Sequence, residues 1–191
     1  MTLDLEKTAF DIDGVVVDIV TPFLRRLADR HGYTGLTYDD VTSFDLVDAL
    51  GVPPDVVREL VDELLDHPLE VEARPYPGAA QVLAGLIEQA PLLFVTARPS
   101  AGPIAEWFRL TLPELPVERI EIVPTGDPMK KLECLRDHGR RHFIDDHLDT
   151  CRMLDQAGLD AFVFDQPWNR RDQTLRRLHG WDEVAVLFNV R

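Results

Sequence analysis

Short apolar runs alternate along this chain with segments that carry apolar residues at helical spacing. Such runs are typical of parallel strands that are buried on both faces of a sheet. The runs are Thr8–Phe10 leading into Val15–Val17, then Leu92–Val95, Ile120–Val123, His142–Ile144 and Ala161–Phe164. Alternating strands and helices therefore predict an α/β fold, a doubly wound parallel sheet covered by helices.

One long stretch, residues 20–76, interrupts this alternation because it shows helical patterns and no convincing strand. A Thr-Pro start and a glycine stop predict a helix over residues 21–31, and apolar spacing predicts another over residues 53–65. We therefore expect a small helical cap, residues 20–76, inserted after the first strand. Residues 1–19 and 77–191 would form the α/β core.

Charge and composition exclude several classes of protein. The chain has 191 residues, 45% of them hydrophobic, which suits one packed domain or one domain with an insert. Its net charge of -14 disfavours a nucleic-acid polymer as partner, because binding one requires a basic face. No apolar run approaches the roughly 20 residues of a membrane span, and the acidic start is unlike a signal peptide. Together with two unclustered cysteines, Cys134 and Cys151, this predicts a cytoplasmic protein with no membrane partner.

The first predicted strand ends in two carboxylates, Asp11 and Asp13, followed by Gly14. Side chains two residues apart in a strand point the same way, so both acids should emerge at the edge where α/β proteins bind ligands. Two close carboxylates repel each other unless a cation lies between them, and Mg²⁺ prefers such oxygen ligands. Read alone, the same residues could simply form a turn.

Three later positions strengthen the functional interpretation. Thr96 ends a buried strand, although it could also be a helix N-cap, and Lys131 lies near a helix start, although a lysine is ordinarily solvated. Asp145 and Asp146 directly end another apolar strand. Adjacent carboxylates at such a place are costly unless they bind a metal or hydrogen-bond donors.

Four motifs follow one another along the chain: Asp11–Val15, Thr96, Lys131 and Asp145–Asp146. In this order they resemble the motifs of the haloacid dehalogenase superfamily of phosphohydrolases, and the resemblance covers essentially the whole chain. More narrowly, the chain looks like the 5′(3′)-deoxyribonucleotidase-like branch. The segments that carry the narrower resemblance are Asp13–Asp18, Thr42–Leu46, Val95–Pro99 and Phe164–Asn169.

The resemblance implies a mechanism through an aspartyl-phosphate. Asp11 would attack phosphorus, and Asp13 would protonate the leaving alcohol and then activate water. Thr96 would donate a hydrogen bond to a phosphoryl oxygen, and Lys131 would offset the charge of Asp11 and phosphate.

The resemblance also implies a Mg²⁺ site. Its ligands would be Asp11, the Asp13 main-chain carbonyl and Asp146. Asp145 would act through water or hold its neighbours, but the sequence does not separate the roles of the two adjacent acids.

Further residues are candidates for contact with the substrate. Ala97 and Arg98 follow Thr96 in the same segment, and Arg98 could bind a phosphate or form a structural ion pair. Phe44 could contact a base from the cap or pack inside the cap. Trp168 and Asn169 follow the last clear strand and so lie on the ligand side of the sheet, where they could line the site.

Four arginines form a local basic cluster near the C-terminal end of the sequence. Their spacing favours the solvated face of a helix over an anion site. The four are Arg170, Arg171, Arg176 and Arg177.

We therefore expect a Mg²⁺-dependent phosphomonoesterase, a 5′-nucleotidase acting on (deoxy)nucleoside monophosphates. The acidic cap favours a small monophosphate over a highly charged substrate. The alternatives are the same chemistry on another small phosphomonoester such as a sugar phosphate, or a pseudo-phosphatase that binds phospho-ligands without turnover. A phospho-receiver domain fits poorly, since such domains are shorter and carry no helical insert after the first strand. The oligomeric state does not follow from the sequence.

Overall fold

The computed structural model describes residues 2–190. Its strands are β1 (Thr8–Phe10), β2 (Val17–Asp18), β3 (Arg74–Pro75), β4 (Leu92–Thr96), β5 (Ile120–Pro124), β6 (His142–Asp145), β7 (Asp160–Phe164) and β8 (Arg176–Leu178). Its helices are α1 (Val20–His31), α2 (Leu46–Leu50), α3 (Pro54–Asp66), α4 (Ala79–Gln89), α5 (Gly102–Thr111), α6 (Lys131–Asp137), α7 (Leu148–Gln156) and α8 (Trp181–Leu187). None of these helices combines the length and the apolar composition that crossing a bilayer requires.

Within the described residues, six strands form one sheet in the spatial order β5-β4-β1-β6-β7-β8. Every neighbouring pair is parallel. Strand β1 lies inside the sheet, where Phe10 is aligned with Phe94 of β4 and with Ile144 of β6. The predicted doubly wound parallel sheet is confirmed. The strands on either side of β1 are β4, which ends in Thr96, and β6, which ends in Asp145.

Apolar side chains cover both faces of this sheet, as a buried parallel sheet requires. On one face, Phe10 and Phe94 pack in a cluster with residues of α4, α5 and α8, and the Trp181 ring stacks on Phe10 at 6.2 Å. On the other face, Phe143 packs with Leu135 of α6 and with residues of α7. The short strands are therefore fixed by packing on two sides.

Helices α1, α2 and α3 lie between β2 and β3, and residues 19–73 contain no strand. Strands β2 and β3 form a small antiparallel ladder at the two ends of this segment. The Asp18 carboxylate accepts hydrogen bonds from the backbone of Val20 and Thr21, so α1 begins at Val20, one residue earlier than predicted. The division into a core and a cap of residues 20–76 stays a prediction.

The basic cluster folds differently from the prediction, which was wrong for its last two arginines. Arg176 and Arg177 lie in β8, at the edge of the sheet, and not on a helix. The buried Arg177 guanidinium donates hydrogen bonds to Asp165 at 2.9 Å and Asn169 at 2.6 Å. The helical spacing of the arginines led to the wrong prediction, because ion pairs with distant residues and a position at the edge of the sheet accommodate arginines in a strand.

The packing against the sheet predicts unequal effects for two helical leucines. Leu86 of α4 is fully buried, whereas Leu110 of α5 is 50% exposed. We expect Leu86→Ala to lower the free energy of unfolding by about 2–5 kcal/mol, because it leaves a cavity. Leu110→Ala, the matched control, should lower it by less than about 0.5 kcal/mol. Urea denaturation measures both, and equal losses would contradict this packing.

Candidate active site

The carboxyl ends of β1, β4 and β6 meet at one edge of the sheet. Asp11 follows β1, Thr96 ends β4, and Asp145 ends β6. The backbone N–H of Asp11 donates to the Ile144 carbonyl at 2.8 Å, which continues the pairing of β1 with β6 beyond the strand end. The parallel arrangement therefore brings together side chains that are far apart in the sequence.

Lys131 joins this group from the first residue of α6. Its ammonium nitrogen lies 2.8 Å from Asp11 Oδ2 and 2.9 Å from Asp145 Oδ2, and its side chain is only 1% exposed. Burial opposes the charge of this ammonium, but the two carboxylates outweigh burial and raise the pKa of Lys131 above its ordinary value. Lys131 is therefore a fixed, buried positive charge and not a solvated lysine.

The surrounding carboxylates carry more negative charge than one lysine offsets. Burial, with smaller contributions from the charges of Asp145 and Asp13, raises the pKa of Asp11 to about 8 against the attraction of Lys131. Burial and the charges of Asp145 and Asp11 also raise the pKa of Asp146 well above its ordinary value. This excess of acid favours a bound cation.

The donor set fits a hard divalent cation. One oxygen from each of Asp11, Asp145 and Asp146 lies within 4.8 Å of the others, and all three residues are buried. Asp11 Oδ1 is buried without a hydrogen-bond partner among the described residues, so this oxygen is available to a ligand. Carboxylate oxygens are the ligands that Mg²⁺ prefers.

Asp146 is held in place by residues around it. The Trp168 indole N–H donates to Asp146 Oδ2 at 2.7 Å, and the Asn169 amide donates to the Asp146 carbonyl at 2.8 Å. Gly14 has a φ of 78°, and a Cβ there would lie 2.3 Å from Asp146 Oδ2. Glycine is therefore needed at residue 14 both for its backbone conformation and for the space that Asp146 occupies.

Asp13 is paired with Arg98. The Arg98 Nε lies 2.8 Å from Asp13 Oδ2 and its Nη2 lies 2.7 Å from Asp13 Oδ1. The remaining guanidinium nitrogen donates to the Leu65 carbonyl in α3 at 2.7 Å. Of the two roles considered for Arg98, the structure shows the ion pair, and contact with substrate stays a prediction.

A cavity of about 410 Å³ opens in front of these groups. Apolar residues form much of the wall opposite these groups, and α3 contributes Val57, Val61 and Leu65 to it. Phe44 also lines the cavity, is 53% exposed, and has its ring centre 4.1 Å from that of His147. The cavity thus has a charged end at the sheet and an apolar end beneath the inserted helices.

The structure brings most of the predicted site residues to this cavity. Those that line it are Asp11, Asp13, Phe44, Thr96, Ala97, Arg98, Lys131 and Asp146. Asp145 lies buried behind them, bound to Lys131 and to the backbone N–H of His147. Asn169 is not brought to the cavity, because its amide is buried against the carbonyls of Asp146 and Phe164.

Several lining residues were not among the predicted site residues. The α3 residues Val57, Val61 and Leu65 showed only a helical pattern, and periodicity does not tell a cavity wall from a core. His147 also lines the cavity, and its proximity to Asp146 in the sequence was the available signal. Trp168, a candidate together with Asn169, does line the cavity.

The parallel sheet, the acids after β1 and β6 and the buried lysine define a haloacid dehalogenase-type phosphomonoester hydrolase. Within that class, the chain belongs to the family of 5′ nucleotidase, deoxy (pyrimidine), cytosolic type C proteins, whose model matches residues 7–191. No curated protein sequence matches the chain.

Solved structures with the same fold have low sequence identity to this chain. A haloacid dehalogenase-like hydrolase from Streptococcus pneumoniae has a TM-score of 0.63 at 15% identity, covering 95% of this chain and 97% of its own. CbbY from Rhodobacter sphaeroides, in complex with phosphate, has a TM-score of 0.59 at 17% identity, covering 95% and 96%. A hydrolase from Deinococcus radiodurans R1, with bound phosphate and sodium, has a TM-score of 0.57 at 19% identity, covering 97% and 96%. These likenesses establish the fold.

The fit of Gly14 against Asp146 predicts a specific effect on cation binding. Gly14→Ala should raise the dissociation constant for a divalent cation at least about 10-fold, because the new methyl would displace the Asp146 carboxylate. Gly35→Ala is the matched control, since Gly35 has a similar φ of 89° and nothing lies near its Cβ position. Isothermal titration of both variants measures the effect. An equal increase of the dissociation constant in both variants would mean that backbone strain, and not the contact with Asp146, weakens cation binding.

Proposed function

We propose that this protein is a Mg²⁺-dependent phosphomonoesterase that hydrolyses (deoxy)nucleoside monophosphates through an aspartyl-phosphate on Asp11. The observation that carries the proposal is the buried Lys131, which lies between Asp11 and Asp145 at the floor of a cavity with an apolar far wall. The charged end suits a phosphoryl group, and the apolar end suits the rest of a small ester. The cytosolic family is the ground for proposing that it acts in the cytoplasm.

Asp11 and Asp146 are the side chains that would hold the metal ion, with the Asp13 main-chain carbonyl, and Asp145 would support them through Lys131. When bound, a divalent cation offsets the negative charge of the phosphoryl oxygens and of the carboxylates. The raised pKa values of Asp11 and Asp146 support this assignment, because a nearby cation would favour the ionised form of both groups.

Asp11 would act as the nucleophile. Lys131 holds its Oδ2, which orients the carboxylate and leaves Oδ1 without a hydrogen-bond partner among the described residues. A carboxylate oxygen would form a bond to phosphorus while the bond from phosphorus to the ester oxygen breaks. Thr96, which also lines the cavity, would donate its hydroxyl to a phosphoryl oxygen.

Asp13 would move the protons in both steps. It would give a proton to the departing ester oxygen and then accept one from the water that attacks phosphorus of the aspartyl-phosphate. That second step restores the Asp11 carboxylate and releases inorganic phosphate. Asp13 lines the same cavity as Asp11, so both carboxylates have access to one substrate.

The rest of the cavity supports a nucleoside as the leaving group. Phe44 presents a half-exposed ring at the cavity, and Trp168 lines it from the side of the sheet. Aromatic and aliphatic surfaces suit the faces of a base. A sugar without a base would leave the apolar part of the wall, to which α3 contributes, without a partner.

Phosphate release tests the proposal directly. Wild-type protein with Mg²⁺ should release phosphate from nucleoside monophosphates faster than from sugar phosphates, and a chelator should abolish release. Asp11→Asn should lose turnover because an amide oxygen is a poor nucleophile toward phosphorus. Asp149→Asn, which changes an exposed aspartate of α7, is the control and should retain it.

Two results would contradict the proposal. Full activity of Asp11→Asn, or of wild type in chelator, would exclude the mechanism. Faster release from sugar phosphates would exclude the substrate class and leave the chemistry in place. Circular dichroism of each variant establishes that the protein is folded.

A further inference from the structure

One tyrosine joins the segment between β2 and β3, residues 19–73, to the loop that follows β7. We call residues 19–73 the inserted segment. Tyr38 begins a single helical turn, Tyr38–Asp40, and is not among the residues that line the cavity. Its side chain contacts Gln166 and Trp168, and the proposed mechanism assigns no role to these contacts. The inserted segment is therefore joined to the rest of the protein through a residue, Trp168, that binds Asp146.

The ring of Tyr38 supports the indole that binds Asp146. The ring centres of Tyr38 and Trp168 lie 5.8 Å apart, with an angle of 46° between the planes, which is an attractive geometry for two aromatic rings. The indole N–H donates to Asp146 Oδ2 at 2.7 Å, and this bond requires one orientation of the indole. Because Trp168 also lines the cavity, part of its surface has no protein neighbour. The contact with Tyr38 therefore restricts movement of the indole away from Asp146.

The hydroxyl of Tyr38 leads to a second support of Asp146. It donates to Gln166 Oε1 at 2.7 Å, and the Tyr76 hydroxyl lies 2.6 Å from it. The Gln166 amide donates in turn to the Gly14 carbonyl at 2.7 Å, and Gln166 is only 4% exposed. Gly14 is the residue whose missing side chain leaves room for the Asp146 carboxylate. Two chains of contacts from Tyr38, one through its ring and one through its hydroxyl, thus converge on Asp146.

We infer that Tyr38 is a positioning residue for Asp146, and that it couples the docking of the inserted segment to the binding of a divalent cation. This inference rests on the proposed function, which assigns Asp146 to the cation. Residues that surround a metal ligand fix its orientation, and their loss weakens metal binding. Because coupling between two binding events is reciprocal, a cation at Asp146 should also hold the segment around Tyr38 in its docked position.

Isothermal titration with Mg²⁺ tests the positioning role in wild type and two variants. Tyr38→Leu removes both the ring and the hydroxyl, and we expect its dissociation constant for Mg²⁺ to be about 10-fold above that of wild type. Tyr33→Leu is the matched control, because Tyr33 is another partly buried tyrosine of the inserted segment. It has no hydrogen bond or ring contact with Gln166 or Trp168, so the dissociation constant of this variant should match wild type.

Amide hydrogen exchange tests the coupling without any substrate. The backbone N–H groups of residues 40–42 donate within the turn that contains Tyr38, so their exchange reports local opening of this turn. Saturating Mg²⁺ should slow their exchange in wild type by about the same factor of 10, and should slow it little in Tyr38→Leu. The control is the amide of Arg119, which lies in the helical turn before β5 and should exchange at the same rate with and without Mg²⁺.

Three results would overturn the inference while leaving the proposed function in place. Mg²⁺ binding as tight in Tyr38→Leu as in wild type would exclude the positioning role. An equal loss in Tyr33→Leu would mean that any loosening of the inserted segment weakens the site. Exchange of residues 40–42 that does not respond to Mg²⁺ in wild type would exclude the coupling.

Failure of the proposed function gives a different result, because wild type itself would then bind no Mg²⁺. Circular dichroism establishes that each variant is folded. If Tyr38→Leu does not fold, Tyr38→Phe takes its place, since it keeps the ring and removes only the hydroxyl bonds to Gln166 and Tyr76. Its dissociation constant for Mg²⁺ should rise about 3-fold, and no rise would contradict the inference.

Discussion

The contact on which this site depends is one buried ammonium between two buried carboxylates. Lys131 binds both Asp11 and Asp145, and taking these charges out of water is costly unless they are paired. One lysine does not balance the buried acids, because Asp146 lies beside them. These acids therefore favour a bound cation, which would stabilise their ionised forms, and phosphoryl transfer requires such charge balance.

The rest of the fold places this charge cluster and holds it still. Parallel strands β1, β4 and β6 end at one edge, and α6 brings Lys131 to the same place, so residues from four separate parts of the sequence meet there. Hydrogen bonds orient two of the acids that line the cavity: Trp168 and Asn169 hold Asp146, and Arg98 holds Asp13. Sites held in this way are rigid before a ligand binds.

The sequence predicted the charged end of the site well and the apolar end poorly, for a physical reason. Acids placed directly after apolar runs, such as Asp11 and Asp146, are visible because strand ends meet at one edge whatever the details of packing. Whether Val61 faces a core or a cavity depends on where α3 lies, which periodicity does not encode. The strand at Arg176–Leu178 was missed because its arginines are stabilised by distant partners such as Asp165.

If Asp11 is the nucleophile, it becomes phosphorylated during turnover. Borohydride trapping tests this: enzyme quenched during hydrolysis of a nucleoside monophosphate is reduced, digested and sequenced by mass spectrometry. Reduction converts an aspartyl-phosphate to homoserine, so we expect homoserine at residue 11, only when substrate is present. Unmodified Asp11 during active turnover, or homoserine at residue 13, would contradict it.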